Sequence, residues 1–365
     1  MLWLTRAGDN LYRHAAGYQS LDLDAQPLDP DSTIVLASAG KFITHVAALQ
    51  LVESGAITLD EPVYKHLPEL ELLPLLQRDK DSGKFSLRSP VNKITLRHLL
   101  LHTSGMSHHE SPLLTEYFAA GGVGVQTAED APYIVKHFST PLEFEPGEGF
   151  AYGHSIHWTQ MLVSRLSGGK FMAHMQEHIF DKLGLTSSTY NPRGVDEIWT
   201  KRLRMVERES GGNLVHNDDE AQGLTCSMSD IGRILGDMVS PSPKLLKQEE
   251  HMALLFNGQL KHASPASAYL HGDSENYGFC AGATDQTSPP AVNWSAAGLV
   301  IEEQLSFSGM PPGTVTWEGM PNVLWAMHRT KGLGMFFATQ LIPVGDKAAN
   351  TLAAKFMKDA WSKFG

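Results

Sequence analysis

The pattern of hydrophobic and polar positions predicts strands at both ends of the chain. At the start, short alternating runs indicate strands over Leu2 to Thr5 and Leu11 to Gly17, with the turn AGDN between them. The chain closes with an amphipathic helix whose apolar side is expected to carry Leu352, Phe356 and Trp361. Three consecutive β-like runs precede that helix: GTVTWEG, PNVLWAMH and GLGMFFATQ.

The middle of the chain, from residue 60 to about 215, is dominated by short helices, Pro-bounded segments and polar loops. Apolar residues at helical spacing predict helices from His157 to Leu166 and from Phe171 to Leu183. An earlier helix is expected to begin near Ser38 and to run to Glu53, with Gly55 as its C-cap. Because that helix is apolar on most sides, we expect it to be buried.

Strands at both ends and helices between them predict a mixed α/β protein of the α+β type. We expect an antiparallel sheet flanked by helices, built from residues 1–55 and 220–365. Residues 56–219 are predicted to form a mainly helical lobe. The active site is expected at the junction of the two lobes.

Composition and charge exclude several classes of function. The chain has 365 residues, of which 42% are hydrophobic and 19% charged, as in a globular protein with a large core. Its formal net charge of −11 disfavours nucleic acid and anionic membranes as partners. We find neither a membrane-spanning stretch nor a signal peptide, so a cytoplasmic protein is expected. In that compartment Cys226 and Cys280 are predicted to be buried thiols.

Ser38-Ala39-Gly40-Lys41 is the pattern that points to catalysis. A serine hydroxyl is a weak nucleophile and needs a neighbouring base. At helical spacing, the Lys41 amine can reach the Ser38 oxygen, and a lysine in apolar surroundings can act as that base. The start of a helix also offers backbone N–H groups that have no partner within the helix.

The spacing alone is not diagnostic, because the chain contains a second copy, Ser167-Gly168-Gly169-Lys170. Ser167 is followed by two glycines at the end of a predicted helix, so Lys170 belongs to a turn. Taken without further context, an ordinary helix-capping serine is the more common interpretation of Ser38.

Four segments together resemble the class C β-lactamase and penicillin-binding-protein superfamily, in the order in which that superfamily carries them. They are STIVLASAGKFITHVAALQLVESGAITLDEPV, KITLRHLLLHTSGM, EPGEGFAYGHS and TVTWEGMPN. Within this superfamily, the chain resembles in particular the fungal lovastatin-side-chain acyltransferase branch, whose members are transesterases of polyketide pathways. The segments that carry this likeness are PLLTEYFAAGG, the Tyr-Gly of AYGHS, and PNVLW. The resemblance implies a β-lactamase/transpeptidase-like fold and acyl transfer through an acyl-enzyme on Ser38.

The resemblance also implies roles for residues that complete the catalytic set. Tyr152 begins the Tyr-x-Asn turn of the family and would share the role of base with Lys41, passing the proton to the leaving group. The oxyanion of the reaction intermediate needs two N–H donors, and by resemblance these are the backbone N–H groups of Ser38 and Met320.

The candidate substrate-binding residues are those at which this chain departs from the lactamases. The Asn of Tyr-x-Asn is missing, so His154 or Ser155 would take its place. Where lactamases have Lys-Thr-Gly, this chain has Trp317-Glu318-Gly319. Because Trp317 cannot bind a substrate carboxylate as that lysine does, an uncharged ester or thioester is expected rather than a penicillin. Glu318 either faces the pocket or points to solvent.

The resulting prediction is a serine esterase or transesterase of secondary metabolism, acting on an ester, thioester, lactone or lactam of a small molecule. Its expected partners are an acyl donor, which can be a thioester or be held by a carrier protein, and an acyl acceptor if it is a transferase. No cofactor, metal, nucleic acid or membrane is expected. One alternative is a catalytically idle β-lactamase-like binding protein. Another is a metallohydrolase that uses His98 and His102, spaced four residues apart.

Overall fold

The structure is a computed structural model that describes residues 1–217, 222–272, 277–281 and 290–365. The chain divides into two compact units. The first unit comprises Met1–Ile43, Met175–Gly258 and Asp273–Gly365, and the second comprises Thr44–His174 and Gln259–Gly272.

The strands of the described residues are short, and most of them belong to the first unit. In chain order they are β1 (Leu2–Arg6), β2 (Asp9–His14), β3 (Thr33–Val35), β4 (Leu75–Arg78), β5 (Phe85–Arg88), β6 (Ser188–Thr189), β7 (Val206–Arg208), β8 (Leu214–His216), β9 (Thr225–Ser227), β10 (Val292–Trp294), β11 (Leu299–Ile301), β12 (Val315–Gly319), β13 (Val323–His328), β14 (Leu333–Ala338) and β15 (Leu341–Ile342).

The α-helices are distributed over both units. In chain order they are α1 (Lys41–Glu53), α2 (Leu96–Leu100), α3 (Pro112–Ala119), α4 (Tyr133–Phe138), α5 (Ser155–Leu166), α6 (Phe171–Met175), α7 (Asp181–Leu183), α8 (Asp196–Thr200), α9 (Met228–Met238), α10 (Glu249–Phe256), α11 (Pro265–Gly272), α12 (Gly278–Ala281) and α13 (Lys347–Phe364). Short 3₁₀ turns cover Ala37–Gly40, Val63–Lys65, Pro68–Leu72 and Pro192–Gly194.

A seven-stranded antiparallel sheet forms the centre of the first unit, in the order β10-β11-β12-β13-β14-β1-β2. β1 pairs with β14, with Leu2 opposite Phe337 and Arg6 opposite Leu333. Strands from both ends of the chain therefore share one sheet, as predicted. β13 and β14 are buried along their whole length, and α9 and α13 both pack against β14.

Two helices differ from their predicted form. The helix predicted from Phe171 to Leu183 is interrupted by a π-helical turn at Gln176–Phe180, between α6 and α7. In α13 the buried side carries small alanines such as Ala353, together with Met357 and Trp361, whereas Leu352 is 53% exposed. The predicted apolar side was therefore wrong at Leu352, because alanine supplies much of the buried surface.

In the second unit, a loop after α2 pairs with the chain that leads into α5. The Gly147 N–H donates to the Thr103 carbonyl at 2.7 Å, and the Glu143 N–H donates to the Gly105 carbonyl at 2.8 Å. α2 also packs against α5. Among the helices of the described residues, none has the length and apolar character needed to cross a bilayer.

Candidate active site

Ser38 and Lys41 lie in direct contact, as their spacing predicts. The Lys41 Nζ donates a hydrogen bond to the Ser38 Oγ at 2.8 Å. Ser38 sits in the 3₁₀ turn Ala37–Gly40, so α1 begins at Lys41 rather than at the serine. Ala37, just before it, has a left-handed backbone with φ 48°, a conformation that an alanine adopts only when its surroundings impose it. Ser38 and Lys41 are both partly exposed.

Two buried side chains, Trp325 in β13 and Gln340 after β14, bond the Ser38 turn and the β3 strand that precedes it. The indole Nε1 of Trp325 donates to the Ala39 carbonyl at 2.8 Å. The amide of Gln340 bonds both backbone groups of Val35, accepting from its N–H at 2.9 Å and donating to its carbonyl at 3.1 Å. Sequence reasoning gave neither side chain a role. Trp325 belongs to the PNVLW run, whereas nothing in the sequence marks Gln340.

Gly319 lies against the Ser38 turn so closely that no side chain would fit. A Cβ at this position would be 2.1 Å from the Leu36 carbonyl oxygen and 3.2 Å from the Ala39 nitrogen. Atoms at such distances overlap, which explains why the last strand residue of the Trp-Glu-Gly motif is glycine. The contact brings the end of β12 to the turn, and Met320 follows directly.

Asn322 fixes the turn that contains Met320 between β12 and β13. It is fully buried and has a left-handed backbone with φ 53°, which asparagine tolerates better than most residues. Its Nδ2 donates to the carbonyls of Leu341 and Pro343 at 2.7 and 2.8 Å, and its Oδ1 accepts from the Gly345 N–H at 2.8 Å. This residue lies in the motif TVTWEGMPN, but the sequence did not indicate its role.

Trp317 and Glu318 are both buried. Trp317 packs edge to face on Trp294, with 4.7 Å between ring centres. Glu318 is 8% exposed, and its Oε2 accepts a hydrogen bond from the Cys280 N–H at 2.5 Å, so it does not point to solvent. Burial raises the pKa of Glu318 to about 7, although the hydrogen bonds from Cys280 oppose this rise.

Replacing Glu318 by glutamine is expected to stabilise the protein at alkaline pH. The pKa of Glu318 lies at about 7 in the folded chain, above the ordinary value of 4.5. Between these values the folded state holds more protons than the unfolded state, so stability falls as pH rises through this range. The full loss is about 3 kcal/mol. Glutamine still accepts from the Cys280 N–H but cannot ionise.

Denaturant unfolding at pH 5 and pH 8 measures this effect. We expect the gain in free energy of unfolding of Glu318→Gln over the wild type to be larger at pH 8. An equal difference at both pH values would contradict the assignment of a buried, titrating carboxyl.

Tyr152 lies in the short loop that leads into α5. It is partly exposed, and its ring centre is 4.7 Å from that of His102 and 5.8 Å from that of His108. The next residue, Gly153, packs tightly on the loop after α2, because a Cβ there would be 2.6 Å from the Ser107 Cα. Glycine at 153 therefore lets the Tyr152 loop approach that backbone.

His154 and Ser155, the predicted substitutes for the missing Asn, are buried. His154 is 4% exposed, and its ring lies against those of His109 and Phe138, with centres 4.6 and 4.8 Å away. Ser155 has no exposed surface, and its Oγ shares a 2.8 Å hydrogen bond with the Ser104 Oγ. This bond ties the start of α5 to the neighbouring loop; a substrate contact through Ser155 stays a prediction.

The remaining residues considered in the sequence, His98, Ser167, Cys226 and Cys280, are explained by local structure. His98 caps α2, where its Nδ1 accepts from the Thr95 N–H at 3.3 Å. Ser167 donates to the Val163 carbonyl at 2.7 Å at the end of α5. Cys226 and Cys280 are buried and form no disulfide. Within the described ranges, no three His, Cys, Asp or Glu side chains are grouped to hold a metal ion.

Comparison with known proteins relates this chain to acyltransferases and an esterase. The family described as Beta-lactamase matches residues 1–357. Acyltransferase calJ of Penicillium decumbens is 33% identical over 100% of this chain and 88% of its own length. ML-236A carboxylate methylbutanoyltransferase mlcH of Penicillium citrinum is 29% identical, over 98% of this chain and 88% of its length. Lovastatin esterase of Penicillium rubens is 29% identical, over 98% and 92%.

Solved structures of related proteins have the same fold as this chain. Unliganded simvastatin synthase (LovD) of Aspergillus terreus, as its selenomethionyl derivative, superposes with a TM-score of 0.87 at 28% identity, covering 100% of this chain and 93% of that one. A penicillin-binding protein of Bacillus halodurans, at 16% identity and a TM-score of 0.64 over 100% and 95% of the two chains, shares the fold. This chain therefore belongs to the β-lactamase family and is an enzyme of its serine hydrolase and acyltransferase type.

Proposed function

We propose that Ser38 is the nucleophile with which this enzyme transfers an acyl group from a small-molecule ester or thioester to a hydroxyl group. The 2.8 Å contact between the Lys41 Nζ and the Ser38 Oγ carries the proposal. At that distance a neutral lysine amine can take the hydroxyl proton as the oxygen attacks the acyl carbonyl. The donor's alcohol or thiol then leaves, and the acyl group remains as an ester on Ser38.

The backbone N–H groups of Ser38 and Met320 are proposed to stabilise the negative oxygen of the tetrahedral intermediate. The contact between Gly319 and the Ser38 turn supports this role, because it fixes the strand end that carries Met320. Such donors are effective when they are already in place before charge develops.

Protons must return to the leaving group, and we assign this step to Lys41 together with Tyr152. The assignment of Tyr152 rests on its place in the Tyr-x-Asn turn that this chain shares in part with the family. In the second half of the reaction, the acceptor hydroxyl gives its proton to the same groups and attacks the acyl-enzyme. Free Ser38 and a new ester are the products.

The names of the relatives support a short acyl group and a carboxylic acid as the substrate class. One is named as a methylbutanoyltransferase of ML-236A carboxylate, and others as monacolin J acid methylbutanoyltransferases of Aspergillus terreus. Lovastatin esterase, which is similarly related, carries the name of the hydrolytic reaction. We propose that this enzyme acts on substrates of the same kind, in secondary metabolism.

Esters are expected to be turned over much faster than β-lactams. Trp317 stands where lactamases use a lysine to bind the substrate carboxylate, and it is buried against Trp294. Burying a substrate carboxylate without a charged partner costs a few kcal/mol of binding free energy, which corresponds to roughly a hundredfold in affinity. We expect kcat/KM for p-nitrophenyl butyrate to exceed that for nitrocefin by at least about a hundredfold. Faster nitrocefin turnover would mean that another cation binds the carboxylate.

Intact mass spectrometry tests the proposed covalent step. The enzyme is mixed with a butanoyl thioester, quenched within one turnover and weighed, and the products are analysed with and without an added alcohol. A mass increase of one butanoyl group supports the acyl-enzyme. An idle binding protein would show no increase, and a metallohydrolase would show none and would lose activity with a chelator. The ratio of new ester to free acid separates transferase from esterase.

A further inference from the structure

His102 contacts three consecutive residues centred on Tyr152. Its carbonyl oxygen accepts a hydrogen bond from the Ala151 N–H at 2.9 Å, and its Nδ1 accepts one from the Gly153 N–H at 3.3 Å. Between these two bonds, its ring centre lies 4.7 Å from that of Tyr152, with 37° between the ring planes. His102 is 1% exposed, so these contacts are shielded from water.

The backbone of His102 is shaped for these contacts. Its φ of 55° lies in the left-handed region, which histidine and asparagine occupy more readily than most residues other than glycine. In this conformation the carbonyl and the side chain both reach the segment from Ala151 to Gly153. Because Nδ1 is an acceptor here, the neutral ring carries its proton on Nε2.

The geometry points to His102 as a positioning residue that holds the Tyr152 phenol in the orientation needed for proton transfer. This inference rests on the proposed function, in which Tyr152 takes part in that transfer. The two hydrogen bonds fix the backbone on either side of Tyr152, and the imidazole face limits the rotation of its ring. His102 itself neither accepts nor donates the transferred proton.

Four variants test the inference: His102→Leu and His102→Asn, each made in the wild type and in Tyr152→Phe. His102→Leu fills the buried position with an apolar side chain that has no acceptor for the Gly153 N–H, and we expect kcat to fall by about a hundredfold. His102→Asn offers its Oδ1 in place of Nδ1 and tolerates the left-handed backbone, so it should retain kcat within about fivefold. KM should change little in either variant.

The Tyr152→Phe background separates positioning from folding. If His102 acts through the phenol, His102→Leu should lower the residual kcat of Tyr152→Phe by less than about threefold, because coupled residues are non-additive. Rates are divided by the concentration of enzyme that becomes acylated, so that unfolded protein does not count. A full hundredfold further loss in this background, or an Asn variant as impaired as the Leu variant, would overturn the inference.

His98 supplies a matched control. Its Nδ1 also accepts a backbone N–H bond, from Thr95 at 3.3 Å, and it lies four residues before His102. His98→Leu should lower the melting temperature while leaving kcat per acylated enzyme within about threefold. A kcat loss there equal to that of His102→Leu would also reject a specific role for His102. If Tyr152→Phe alone keeps wild-type activity, the proposed base is wrong and the inference falls with it.

Discussion

Ser38→Ala is expected to lower kcat/KM for p-nitrophenyl butyrate by about a thousandfold or more and to abolish the acyl-enzyme. Without the Oγ there is no atom to form the covalent ester, and the Lys41 amine loses the hydroxyl that it contacts at 2.8 Å. The melting temperature should stay nearly unchanged, because the side chain removed is small and partly exposed. Steady-state kinetics, intact mass and thermal unfolding measure the three expectations.

Ser167→Ala is the internal control for this variant. Ser167 begins the second Ser-x-x-Lys copy, but its hydroxyl is bonded to the carbonyls of Val163 and Ser164 at the end of α5. It should keep full activity and form the acyl-enzyme. Activity of Ser38→Ala within about tenfold of the wild type would rule out Ser38 as the nucleophile.

Lys41→Ala and Tyr152→Phe are each expected to lower kcat by about a hundredfold to ten-thousandfold, the usual contribution of a positioned acid or base. The double variant should be scarcely slower than the slower single variant, because groups that work as one unit lose their effect together. The kcat of all four proteins, from wild type to double variant, measures this relation.

Lys170→Ala provides the comparison for Lys41→Ala and should be as active as the wild type. If the losses of the two single variants multiply in the double variant, Lys41 and Tyr152 contribute independently. The proposal that Lys41 and Tyr152 act together in one proton transfer would then be rejected.

Local patterns were sufficient to predict β1, β2, β12, β13 and β14, the helices α1, α5 and α13, and the contact between Ser38 and Lys41. The short strands β3 to β11 and β15, and the helices α9 and α10, were not predicted. The three β-like runs near the end correspond to β12, β13 and β14. Ser38 and Lys41 are three positions apart in sequence, so a single helical turn brings their side chains into contact. The family and its fold were recognised for a similar reason, since each of the four motifs is a short continuous segment. Comparison confirmed both.

Residues that support the site from a distance could not be predicted in this way. Gln340 bonds Val35 across 305 positions of sequence, and no local signal marks such a pair. The surroundings of Glu318 depend on Cys280, which is also distant in sequence. The burial of Glu318 follows from the packing of α12 beside β12, which the sequence alone does not reveal.

The pairing of β1 with β14 has a consequence for how the protein is made. β1 ends at Arg6 and β14 begins at Leu333, so a ribosome that adds about 5 to 20 residues per second separates their synthesis by roughly 15 to 65 s. Until then β1 has β2 as its neighbour, and a lone hairpin is marginally stable in water. Trp325 and Gln340, which bond the Ser38 turn and the strand before it, lie in the same part of the sequence as β14 and are made after a similar interval. The pairing of β1 with β14 and these contacts to the Ser38 region can therefore form only once synthesis has passed Leu333 and Gln340.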